Sequence, residues 1–199
     1  MSTSFAKPET LVGTALAPLD WTRSVGLVLA FSLLMALSAQ VVIPIGPVPV
    51  TGQTFVVLLT GALLGSRLGA ITMIVYLVEG ASGLPFFYGG SGGLGHLFGQ
   101  TGGYLVAFPA AAFITGAFAE HDWDRRFPTA VAAMALGSLV ITLSGWAWFA
   151  IVTNTPLGVV FKISVLPLIP GDIIKILLAA AALPAGWALL QRKASGKTH

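Results

Sequence analysis

Six apolar runs occupy most of this sequence, at about 23–42, 53–64, 67–81, 104–119, 128–152 and 169–190. A bilayer core about 30 Å thick takes roughly 20 helical residues to cross. Backbone inside hydrocarbon must satisfy its own hydrogen bonds, which leaves helices for runs this continuous. The expected fold is therefore all-α, a polytopic membrane protein with six transmembrane helices. The 53–64 run is short for a full crossing, and Gly65-Ser66-Arg67 is the turn that separates it from the third run. Charged residues are only 9% of the chain, against about 25% in a soluble domain. That excludes an ordinary soluble enzyme and a disordered tail. A net charge of +3 is too thin for a nucleic-acid-binding face. There is no cysteine, and the three histidines are dispersed at 96, 121 and 199. Disulfide scaffolds, thiolate metal sites and cysteine nucleophiles are thereby excluded, and no metal site is expected.

The segments between the runs differ in character. Residues 1–22 are mixed and are expected to form an irregular cytoplasmic segment without the pattern of a cleaved signal. The membrane domain is expected over 23–191, and 192–199 as a cytoplasmic tail. Ile43 to Pro49 carries three prolines, which end the first helix. Loops alternate in basic content. Lys7, Arg23, Arg67, Arg125, Arg126, Arg192, Lys193 and Lys197 fall on one side, and Lys162 alone on the other. Lys and Arg concentrate on the cytoplasmic side, so both termini are expected there. The proline-rich loop, the glycine-rich loop 83–103 and the 153–168 loop then face outward.

Three charges have no role in topology. Asp172 and Lys175 follow Ile169-Pro170-Gly171 and precede an apolar run. Pro170 suits a first helical turn, Asp172 then sits near the helix N-terminus, and the i,i+3 spacing puts both side chains on one face. Charges within a span usually face a cavity or one another, so the pair reads either as a polar ligand site or as an internal salt bridge. Glu79 lies roughly 18 Å along the third helix from Arg67, near the expected depth of Lys175, where it meets Lys175, a ligand or external water. The loop 83–104 combines glycines, Gly90 among them, with Phe86, Phe87, Tyr88 and Tyr104. Glycine permits close backbone approach, and aromatic rings beside it fit a lid over a pocket better than a loose loop. No G-x-x-x-x-G-K-[ST] pattern occurs, so ATP would have to bind a partner subunit. Ser91 in Gly-Gly-Ser-Gly supports a remote alternative, an intramembrane protease with Lys175 as base. Gly26 with Ala30, and Ser32 with Ala36, form small-xxx-small pairs suited to close helix packing, within this chain or against a membrane partner.

Four motifs in order, Pro-Val-Pro-Val-Thr-Gly-Gln-Thr (47–54), Gly-Leu-Pro-Phe-Phe (83–87), Thr-Gly-Gly-Tyr-Leu (101–105) and Pro-Gly-Asp-Ile-Ile-Lys (170–175), resemble the BioY family. These are the biotin-specific S-components of energy-coupling-factor (ECF) transporters. The resemblance covers about 23–190. The chain departs from the pattern at Gln100, where proline is common, and at Gly26, where the docking motif of the first helix favours alanine. The resemblance implies a six-helix S-component in the bacterial inner membrane, capture of biotin from outside, and no enzymatic activity. It also implies a transmembrane coupling protein and two ABC-type ATPases as partners, with biotin the transported ligand and no cofactor.

The residues fit such a ligand. A ureido ring offers two N–H donors and one carbonyl acceptor. Asp172 as carboxylate only accepts, and Lys175 only donates. The expected contacts are Asp172 to an N–H and Lys175 to the carbonyl or the valerate carboxylate. Gln53 and Thr51 add polar contacts at the mouth of the second helix. Phe86, Tyr88 and Tyr104 enclose the apolar remainder. Another vitamin such as riboflavin or thiamine, or dethiobiotin, which keeps the ureido group, is the nearest alternative ligand.

Overall fold

The computed structural model describes residues 10–16 and 20–195. Lys7 and Lys197 of the charge pattern lie outside them. The first long helix, α2 (Trp21–Ser38), follows α1 (Leu11–Ala15). Asp20 caps α2, its Oδ1 accepting from Arg23 N at 2.8 Å. That bond, with one from the Thr22 hydroxyl, holds the Asp20 carboxyl below the usual carboxylate range. Residues 10–16 depart from the irregular segment expected there. The Thr10 hydroxyl accepts from Gly13 N at 3.2 Å, which starts α1, and Leu11 packs where Gly186 leaves room.

The proline-rich loop is a hairpin rather than open coil. Strand β1 (Val42–Ile43) pairs antiparallel with β2 (Val50–Thr51), with Val42 opposite Thr51. Helix α3 (Gln53–Leu64) starts directly after it, and Gly65 at φ +87° turns the chain into α4 (Ser66–Ala81). Only glycine adopts that backbone cheaply. The Glu120 carboxylate completes the turn by accepting from Ser66 N and Ser66 Oγ, both at 2.9 Å.

The glycine-rich loop is folded. It holds a 3-10 turn, Tyr88–Gly90, and helix α5 (Leu94–Phe98). The fourth run is two helices, α6 (Gly102–Val106) and α7 (Phe108–Ala119), which meet at Ala107. Pro109 at the start of α7 lacks the N–H needed to continue the ladder. A 3-10 turn, Trp123–Arg125, leads to α8 (Phe127–Thr153), which ends at Asn154 in the left-handed region. The 153–168 loop is also helical, as α9 (Leu157–Val160) and a π turn, Phe161–Val165. Helix α10 (Ile169–Ser195) runs past the expected end and contains Pro184.

Helices α3 and α7 lie at the centre, where Gly61 meets Ala112 and Thr115 too closely to admit a side chain. The core includes Met35, Val57, Met73, Tyr76, Phe87 and Ile141, all essentially inaccessible. Outward surfaces are apolar as well: Leu29, Leu33, Leu37, Val78, Leu139, Leu178 and Leu189 are all more than 45% exposed. So broad an apolar exterior marks a lipid-facing surface. Among the described residues, four segments are long and apolar enough to cross a bilayer: Trp21–Ser38, Gly102–Ala119, Phe127–Thr153 and Ile169–Arg192. Helix α3, with 12 residues, spans only about 18 Å and is largely enclosed by the others.

The loops gather at two ends. At one, the Gly65 turn lies beside Thr10 and Glu120, and Trp187 donates to Asp124 at 2.6 Å. At the other, Gly46 of the hairpin approaches Ile163 O, Gln40 reaches Phe87 O at 3.2 Å, and Trp148 donates to Gly99 O at 2.9 Å. The proline-rich, glycine-rich and 153–168 segments therefore meet on one face.

Candidate functional site

The first two turns of α10 place Asp172 and Lys175 together. Lys175 Nζ lies 2.8 Å from Asp172 Oδ1, and both side chains are about 15% exposed. The same ammonium donates to Thr54 Oγ1 at 2.6 Å and to Thr51 O at 3.2 Å. An ammonium has three protons, and here each has an acceptor. The β1–β2 hairpin supplies the Thr51 carbonyl and the start of α3 supplies Thr54, more than 120 residues away in sequence.

The pair borders a small, partly open cavity of about 50 Å³. Thr51, Gln53, Thr54, Asp172 and Lys175 make its polar side. Leu105, Phe108, Ile141 and Leu168 make its apolar side, and Tyr88 and Tyr104 also line it. The Tyr104 hydroxyl is buried beside the Ser164 hydroxyl and makes no hydrogen bond of good geometry among the described residues. The site is thus shaped for a ligand with a polar end of mixed donors and acceptors and an apolar body.

Six of the expected site residues, Thr51, Gln53, Tyr88, Tyr104, Asp172 and Lys175, share this cavity. Three do not line it. Phe86 packs against the core cluster instead. Gly90, at φ +71°, is an exposed part of the turn that carries Tyr88. Glu79 pairs with none of the cavity's polar groups, and its Oε2 is buried without a hydrogen-bond partner among the described residues. Thr54 and Thr142 line the cavity without having been expected. An isolated hydroxyl in an apolar run carries no spacing signal that would mark it.

Ser91 and Lys175 do not form a nucleophile–base pair. The Ser91 hydroxyl donates to Tyr88 O at 2.6 Å and lies 2.9 Å from His96 Nε2, while Lys175 is occupied by Asp172, Thr54 and Thr51. With its proton on the Tyr88 carbonyl, Ser91 is also not primed by His96, the neighbour that sequence spacing missed. On α2, Ser32 and Ala36 are buried inside the bundle, whereas Gly26 and Ala30 face outward and Gly26 has open space beside it.

At the opposite end, Asp124 is 2% exposed. Burial pushes its carboxyl above the usual range, partly opposed by the Trp187 N–H. Its Oδ1 has no partner among the described residues, and the Arg125 guanidinium lies 4.6 Å from the Trp187 ring.

Comparison with known proteins places the fold and the sequence together. A Pyrococcus horikoshii protein named "Probable biotin transporter BioY" is 42% identical, over 77% of this chain and 89% of its own. The biotin transporter BioY of Rhodobacter capsulatus is 38% identical, over 77% and 87%. The solved S-component for biotin from an ECF-type ABC transporter superposes with a TM-score of 0.75 at 27% identity, covering 82% of this chain and 90% of that one. The sequence model of the BioY family matches residues 6–192, and the chain belongs to that family.

Proposed function

We propose that this protein is the substrate-binding membrane subunit of a biotin uptake transporter, taking biotin from the external face and passing it inward. The observation that carries the reading is the Asp172–Lys175 pair on the polar side of a cavity whose remaining wall is apolar. Biotin has that polarity. Its ureido group supplies donors for Asp172 and a carbonyl that takes the Lys175 proton now shared with Thr51 O, the longest of its three contacts, and the thioether ring and aliphatic chain suit Tyr88, Tyr104, Leu105 and Phe108. The Tyr104 hydroxyl, at the cavity beside Ser164, supplies a further polar group for the ligand. An unmatched polar group in such a site costs roughly 1–3 kcal/mol, so analogues without ureido donors are rejected.

In this reading six helical segments cross the inner membrane, α6 and α7 together making one crossing. Both termini are cytoplasmic, in line with the loops that gather at each end and their basic content. Residues 23–191 form the membrane domain, with 1–22 and 192–199 on the cytoplasmic side. A transmembrane coupling protein and two ABC-type ATPases supply ATP-driven release. The outward Gly26 and Ala30 give the coupling protein a surface where helices can approach closely.

Calorimetric titration of the purified protein with biotin tests the proposal. Saturable binding is expected, with competition by dethiobiotin and none by riboflavin or thiamine. Absence of biotin binding would overturn it.

A further inference from the structure

Thr51 and Gln53 on the cavity wall are tied to the glycine-rich loop by a chain of three hydrogen bonds. Thr51 Oγ1 donates to Gln53 Oε1 at 2.9 Å, Gln53 Nε2 donates to Tyr76 OH at 2.8 Å, and Tyr76 OH donates to Phe86 O at 2.9 Å. The direction of each bond is fixed by chemistry. The Phe86 carbonyl can only accept, so the single Tyr76 proton goes to it. Tyr76 then has only its lone pairs for Gln53, so the amide must turn its N–H₂ toward the ring. Reversing that amide would break its bond to Tyr76, whereas the Thr51 hydroxyl, which can accept as well as donate, would keep one. Tyr76 is 0% exposed and Gln53 5%, so water does not readily replace a lost partner.

The far end of the chain is a lever on the cavity. The next carbonyl, Phe87 O, is held by Gln40 at 3.2 Å. The Phe87 ring is fully buried edge-on to Tyr76, 5.8 Å between centroids, in space that Gly80 leaves by lacking a side chain. One residue further, Tyr88 lines the cavity. Gln53 and Tyr88 thus face the same cavity and are joined behind it through Tyr76 and Phe86.

We propose that Tyr76 is a positioning residue that couples occupancy of the cavity to order in the loop 83–91. This rests on the proposed biotin site. Ligand that fixes the Gln53 amide strengthens the Tyr76–Phe86 bond and holds Tyr88 over the cavity. By reciprocity, a loop held in place binds ligand more tightly.

The test is Tyr76→Phe, which removes one oxygen, studied by biotin titration and by amide hydrogen exchange of the whole protein with and without saturating biotin. In the wild type, biotin should slow exchange in 83–91 and in 168–175. In Tyr76→Phe, affinity should fall roughly tenfold. At saturation, protection of 83–91 should be lost while that of 168–175 remains, a split that general destabilisation does not produce. Affinity within twofold of wild type with both regions protected would overturn the coupling. If Tyr76→Phe does not fold, Gln53→Ala cuts the same chain at its other end: loss of 83–91 protection at saturation supports the coupling, and its retention overturns it. Wild-type protein that binds no biotin overturns the proposed function itself.

Discussion

Replacing Asp172 by Asn removes one charge and almost no volume, so its effect isolates the electrostatics of the site. Asp172 Oδ1 sits 2.8 Å from Lys175 Nζ. At an effective dielectric near 20, two unit charges that close attract by about 6 kcal/mol. Much of this is offset by the cost of taking both groups out of water. Lys175 would keep Thr54 Oγ1 and Thr51 O, so the folded state should survive with a loss below the roughly 3–5 kcal/mol of an uncompensated buried charge. Binding should be hit harder relative to its size. A bond from a ureido N–H to a carboxylate contributes about 1.5–3 kcal/mol, against about 1 for a neutral acceptor, and Asn also presents an amide donor where the ligand presents one. The expected loss is about 1.4–3 kcal/mol, or tenfold to about 150-fold in Kd. Calorimetric titration of wild type and Asp172→Asn measures it, with thermal unfolding of each as a check on the fold. Dethiobiotin, which keeps the ureido group, should weaken by the same factor as biotin. Asp172→Asn within twofold of a biotin-binding wild type would refute the assignment of Asp172 to the ligand, and unequal factors for the two ligands would move the contact away from the ureido group.

Three further outcomes are expected. Gly145→Ala places a methyl group against the Tyr104 ring, forcing the ring toward the cavity; biotin affinity should drop at least about tenfold, with about 1–3 kcal/mol of overpacking cost, as read by titration and thermal melts. Ser91→Ala removes the bond to Tyr88 O and should weaken biotin uptake only several-fold, in keeping with about 1 kcal/mol for a hydrogen bond, whereas a nucleophile role requires complete loss of a proteolytic activity. Asp124 has a folded-state carboxyl raised by burial, so its contribution is most favourable below the unfolded value of 3.8 and declines as pH rises toward the folded one. Melts from pH 4 to pH 8 should therefore show wild type losing ground relative to Asp124→Asn as pH increases, and a pH-independent difference would contradict the burial argument.

Much of the architecture was legible because proline and glycine punctuate it. Helix α3 ends at Gly65 and α4 follows at once, as the Gly65-Ser66-Arg67 turn implies. The Asp172–Lys175 pair was legible for a related reason: two charges at i,i+3 in an apolar run admit few explanations, and both sit in the first two turns of α10. What stayed hidden depends on direction around a helix axis and on long-range contact. Glu79 was placed near Lys175 by helical rise alone, but rise fixes depth and not which way a side chain faces, and the two groups make no bond. Phe86 and Phe87 are adjacent aromatics of equal standing in sequence. Gly80 receives the Phe87 ring, and Phe86 joins the core's edge instead of the cavity wall. Thr54 and Tyr76 were invisible because each matters through a partner distant in sequence, Lys175 in one case and Phe86 O and Gln53 in the other.

The buried polar groups left without partners bear on how such a protein works. Tyr104 OH, at the cavity, and Asp124 Oδ1, at the opposite end, are both unsatisfied among the described residues. Leaving a buried polar atom unpaired costs free energy, and the two costs are relieved differently. For Tyr104 the relief in the proposed site is a polar atom of the ligand. Asp124 is reached by Trp187 of α10, the same helix that carries Asp172 and Lys175 at its other end. Its relief is protonation, which neutralises the carboxyl without moving Trp187. One helix thus joins the Asp172–Lys175 pair near its start to the Trp187–Asp124 contact at the opposite end of the bundle.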